Sequence, residues 1–140
     1  MSRGTEPDEA PLDRTVELLE ERFRPLAILL FGSRVRGREH AGSDHDLAIL
    51  TGRPLPDAFA VAAAKADLED LLGADVDLVV LGAASPILAM EILRDHAILQ
   101  MRDREAFERF TVRALGAYFD LKQVRAPIEA AILRSDGVVR

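Results

Sequence analysis

The chain has 140 residues, 49% apolar and 30% charged, which is the balance of one globular domain with a core of its own and no room for a second catalytic domain. A formal net charge of −6 argues against a general nucleic-acid-binding surface, whose footprint is basic, and leaves a basic protein partner open. With no cysteine, disulfides and zinc–thiolate sites are excluded, which fits a cytoplasmic setting. Residues 1–10 are polar and acidic, unlike a signal peptide, and no apolar run approaches the roughly twenty residues that cross a bilayer.

Past a frayed N-terminus, a helix is expected over residues 12–24, with Leu12, Val16, Leu19 and Phe23 on one face. An apolar strand over 26–31 stops at Gly32-Ser33, and a second strand over 44–50 opens with Asp44-His45-Asp46. Gly and Pro make 51–56 a loop. Asp57 caps the following helix, which keeps Val61, Leu68 and Leu72 inward, runs to about Leu72 and stops at Gly73. A third strand covers 75–81. Ser85 followed by Pro86 starts a helix that runs to about His96. A short strand over 97–100 precedes a long helix over 103–124, whose Phe107, Phe110, Ala114, Tyr118 and Leu121 have helical spacing and form a core stripe, part of which a small chain leaves exposed for a partner helix. Pro127 interrupts that pattern, leaving a short last helix over 128–133 before the Gly137 tail. The division is one domain over 1–140, with a core over about 12–100 and a C-terminal helical segment over about 103–135.

The chemistry lies in the second and third strands. Residues two apart on a strand project to one face, so Asp44 and Asp46 point together and His45 points away. Two neighbouring carboxylates repel, and a hard divalent cation such as Mg2+, held by carboxylates together with nucleotide phosphates, relieves them. Before the ten-residue spacer that precedes Asp44, the backbone N–H groups around Gly32 and Ser33 open a short helix and can receive a phosphate. Arg34, Arg36 and Arg38 follow, each able to reach phosphate oxygens with a guanidinium fork; spacing does not choose among them. If the third strand lies beside the second, Asp77 completes the acid cluster and is placed to take a proton from an incoming hydroxyl. Asp75 shares its face by parity, and Asp77 is favoured because, like Asp46, it leads straight into an apolar run. His40, His96 and Glu39 read as solvated.

The order G-S-x10-D-x-D-L with a later V-D-L-V resembles the signature of the polymerase-beta-like nucleotidyltransferase superfamily, whose minimal members include the MNT proteins. That resemblance implies an α/β (α+β) fold, a small mixed sheet flanked by helices, and transfer of a nucleotidyl group from a nucleoside triphosphate with Mg2+ and release of pyrophosphate. It implies that Gly32 and Ser33, with Arg34 beside them, hold the triphosphate, and that Asp44, Asp46 and Asp77 are the metal-binding and catalytic acids. More loosely, Ser85-Pro86-Ile87-Leu88, Glu91-Ile92-Leu93-Arg94-Asp95, Val112-Arg113-Ala114-Leu115 and Tyr118-Phe119-Asp120-Leu121-Lys122 are similar to the C-terminal part of MntA-type antitoxins of HEPN/MNT toxin–antitoxin pairs. In that family AMP from ATP is attached to a tyrosine of a HepT-type HEPN toxin, an RNase, and silences it; the implied state is a hetero-oligomer with the toxin. Two rival readings stand beside it: a small-molecule nucleotidyltransferase of the aminoglycoside-modifying kind, disfavoured by the short segment after His96, and an antitoxin that works by occlusion alone, disfavoured by the intact acids.

Overall fold

The computed structural model describes residues 9–32 and 45–139, with side chains over 11–32 and 45–123. Helix α1 (Glu9–Phe23) ends where Arg24 takes a left-handed conformation (φ 47°) and returns its N–H to the Glu20 carbonyl, with Pro25 following. Strands β1 (Ala27–Phe31) and β2 (His45–Leu50) come next, then α2 (Ala58–Leu72) and β3 (Val76–Val80). A 3-10 turn (Leu81–Ala83), α3 (Pro86–Arg94), β4 (His96–Met101) and α4 (Arg104–Val139) complete the order.

The caps follow the local chemistry read from sequence. The Asp57 carboxylate accepts from the Ala60 N–H at 2.8 Å, and Gly73, left-handed at φ 65°, closes α2 through its N–H to the Glu69 carbonyl. Ser85 caps α3 through the Leu88 N–H, with Pro86 in the first turn, where its missing N–H costs no helical bond.

Four strands form one mixed sheet in the order β3-β2-β1-β4. β1 pairs antiparallel with both β2 and β4, while β2 and β3, joined through α2, run parallel. Covered on both faces, β1 and residues 47–50 of β2 are continuous apolar runs. One face, carrying Ile28, Leu47, Ile49, Val76 and Leu78, packs against Leu19 of α1 and Ala64 and Leu68 of α2. On the other, Ala27, Leu29, Ala48 and Leu50 meet Leu81, Ile92 of α3 and Phe107 of α4. Arg102 ties the two ends of this arrangement, donating to the Pro25 and Arg24 carbonyls as the chain leaves β4.

Helix α4 departs from expectation. It runs unbroken through Pro127, where a stop and a separate last helix were expected. A proline removes one N–H from the ladder and crowds one carbonyl, a cost of about 3 kcal/mol, but the bonds of the flanking turns are independent of that donor. On the inward side, Phe107 and Ala114 are buried and Phe110 packs against the same core, so the first half of the expected stripe is core. Val112, Leu115 and Phe119 on another side of the helix are exposed. Among the described residues no helix is long and apolar enough to cross a membrane.

Candidate active site

The sheet register settles which acids stand together. In the parallel ladder Asp46 of β2 lies beside Asp77 of β3, and in the antiparallel ladder Asp46 lies opposite Phe31, the last residue of β1. Residues paired across a ladder share a face, so both carboxylates project to one side, on strands about 4.8 Å apart. Parity puts them on the α3/α4 face, beyond the rim of its apolar cluster. His45, one residue earlier, is buried on the α1/α2 face beside Val76, so it points away from the acids as its position implies.

Asp75 falls just before β3, and its carbonyl accepts from the His45 N–H at 2.9 Å. The next residue's N–H, that of Val76, donates to the Glu69 carboxylate of α2 at 3.0 Å. The first bond holds the start of β3 level with the start of β2, and the second ties it to α2.

Gly32 follows β1 directly and has φ 86°, a region an L side chain enters only with strain. A Cβ at this position would meet Asp46 Oδ2 at 2.0 Å and its Cγ at 2.9 Å. Only glycine lets the turn pass flat against the Asp46 carboxylate, so the turn and the acid are one packed unit.

Ser33, Arg34 and Asp44 lie outside the described residues, as do Arg36, Arg38, Glu39 and His40. Among the described residues no three His, Cys, Asp or Glu side chains form a metal-binding group, and Asp46 and Asp77 are the two candidate acids that can be placed. Asp46 is half-buried and Asp77 exposed. Two ionised carboxylates at about the strand spacing repel by on the order of 1 kcal/mol in water and about 3 kcal/mol at a protein-surface dielectric, and Asp77's exposure favours the lower figure. A cation coordinated between them removes that repulsion, so this pair fits a hard divalent ion with oxygen ligands.

His96 is not the solvated residue that its place after a helix suggests. It is the first residue of β4, opposite Phe31, and therefore in the same cross-sheet row as Asp77 and Asp46. Its Nδ1 lies 3.0 Å from the Leu93 carbonyl, which can only accept, so Nδ1 carries the hydrogen. The ring is half-buried, edge-on to Phe107 at 5.9 Å.

Residues 14–105 match the family described as Polymerase beta, Nucleotidyltransferase. The chain is 31% identical over 117 residues to the protein adenylyltransferase MntA of Shewanella oneidensis, with 83% of each chain covered. Among solved structures it resembles a toxin–antitoxin with AMP-PNP at a TM-score of 0.78 and 29% identity, covering 87% of this chain and 98% of that one. It also resembles the MNT antitoxin in complex with the tri-AMPylated Shewanella oneidensis HEPN toxin, at a TM-score of 0.74 and 26% identity, covering 89% of this chain and 98% of that one.

Proposed function

The chain belongs to the polymerase beta nucleotidyltransferase family and, within it, to the MntA-type minimal nucleotidyltransferases, and from that premise we propose that it is an antitoxin that moves AMP from ATP to a tyrosine hydroxyl of a HEPN-domain toxin. The observation that carries the site assignment is the register of Asp46 with Asp77, combined with Gly32 packed on the Asp46 carboxylate. The acceptor class is supported by the similar structures, one with AMP-PNP and one holding a tri-AMPylated HEPN toxin.

In this reading Asp46 and Asp77, joined by Asp44, hold Mg2+. When bound, Mg2+ offsets phosphate charge and steadies the attacking and leaving oxygens in line. The backbone of the Gly32–Ser33 turn, with Arg34, receives the triphosphate. Asp77, exposed at the sheet edge, is open to an acceptor brought by another protein and takes the proton of its hydroxyl. The acceptor oxygen bonds to the α-phosphorus, the bond from that phosphorus to the β-bridging oxygen breaks, and pyrophosphate departs.

The test is to supply the purified chain and its toxin with Mg2+ and ATP labelled at either the α or the γ phosphorus. Label should enter the toxin from α-labelled ATP alone, and peptide mapping should find it on tyrosine. Transfer of the γ label would identify a kinase and sink the reading. Neutralisation without any label would favour occlusion.

A further inference from the structure

A concavity of about 400 Å3 opens at the end of β1 and β2 opposite Gly32 and Asp46. Leu26 just before β1 and Leu50 at the end of β2 form its floor with Leu81 and Phe110. Its walls come from the 51–55 loop, from the 3-10 turn and first residues of α3, and from α4 between Ala106 and Ala117. From Asp46 to Leu50 is four residues of extended chain, roughly 13 Å, so the two sites are separate.

The charge around this concavity is one-sided. Arg53, Arg109 and Arg113 line it, and among the described residues no aspartate or glutamate does, although the chain as a whole carries six more acids than bases. Arg109 and Arg113 are one turn apart on α4 and share a face; Arg53 approaches from the loop after β2. Arg109 lies 3.8 Å from Glu105, but both side chains are largely in solvent, at 62% and 88% exposure, where such a pair is weak. Arg53 and Arg113 form no ion pair among the described residues. Beside them the buried Thr51 hydroxyl has no hydrogen-bond partner among the described residues.

Three arginines lining one apolar floor can meet a single anion, and guanidinium forks match carboxylate, phosphate and sulfonate oxygens. The volume is that of a small-molecule pocket, and an apolar floor with a few convergent polar groups is the usual make-up of one. We propose that this cavity binds a small organic anion: an acidic head group on an aromatic or aliphatic body, the head on Arg53, Arg109 and Arg113 and the body on Leu26, Leu50, Leu81 and Phe110. The assignment is independent of the nucleotidyl-transfer chemistry at the other end of the sheet.

The test uses two probes with one aromatic body, 8-anilinonaphthalene-1-sulfonate and its uncharged analogue N-phenyl-1-naphthylamine, titrated by fluorescence into the full chain. The sulfonate should saturate at one per chain and bind at least tenfold tighter than the neutral probe. The double variant Arg53→Ser/Arg113→Ser should weaken the sulfonate at least tenfold and leave the neutral probe unchanged. Both arginines are exposed, so the fold should survive, as circular dichroism would verify. Ala117→Phe, a substitution at an exposed lining residue, should weaken both probes by narrowing the mouth. Asp46→Asn should change neither. Unchanged sulfonate affinity in the arginine variant, loss of it in Asp46→Asn, or no saturable binding to the wild-type chain would each overturn the proposal.

Discussion

At one end of β2 stands Asp46, level with Asp77 of β3; at the other the chain leaves Leu50 into Thr51 and Arg53, where Arg109 and Arg113 cross over from α4. Between the two ends, Leu47 to Leu50 are buried and carry no charge. The strand thus works as a spacer. It holds an acidic edge and a basic one roughly 13 Å apart, beyond the screening length of about 8 Å at physiological salt. At that distance the arginines neither neutralise the acids nor compete with a cation for them. On the proposed reading each edge recruits its own ligand, a cation at one and an anion at the other.

That contrast is open to direct attack. The largest expected effect is on catalysis at the acidic edge, where Asp46→Asn or Asp77→Asn should lower AMP transfer by on the order of a hundred- to ten-thousand-fold in single-turnover assays. Arg53→Ser/Arg113→Ser at the basic edge should leave transfer within about twofold, because screening isolates the two edges. Substantial loss of transfer in the arginine variant would collapse the comparison into a single extended site.

A cut through the layer that supports both edges should act on stability without preference for either. Leu68→Ala, at a fully buried position between α2 and the sheet, should cost about 2–5 kcal/mol in urea unfolding. Gly32→Ala should be smaller in stability, about 1–2 kcal/mol for the left-handed backbone, yet should impair transfer as well, since its Cβ displaces the Asp46 carboxylate. A Gly32→Ala protein with wild-type transfer would show that the turn and the acid are not one unit. Asp57→Ala is expected to have the smallest effect, about 1 kcal/mol from the lost α2 cap and no change in transfer, because α2 meets the sheet on the face opposite the acids.

Local signals made most of this legible in the sequence. Asp57, Gly73 and Ser85-Pro86 mark helix ends through bonds that close within four residues, and unbroken apolar runs mark β1 and residues 47–50 of β2 as strand covered on both faces. Sequence parity left open which of Asp75 and Asp77 stands level with Asp46, because that depends on a register between two strands joined through α2, which only the paired strands show. The helical continuation through Pro127 was hidden because a proline weighs against helix whatever its neighbours supply. His96 reads locally as a helix end, and only the β1–β4 pairing reveals it as a strand residue in the row of the acids. The basic cavity had no sequence signature at all: Arg53, Arg109 and Arg113 come from a loop and a helix more than fifty residues apart.

The central claim, that Asp46 and Asp77 act together because the parallel register sets them side by side, is tested most directly by single-turnover AMP transfer and ATP affinity in Asp77→Asn and Asp75→Asn side by side. Asp77→Asn should lose transfer by a factor on the order of a hundred or more while still binding ATP, and Asp75→Asn, outside β3, should stay near wild type. A dead Asp75→Asn beside an active Asp77→Asn would contradict it.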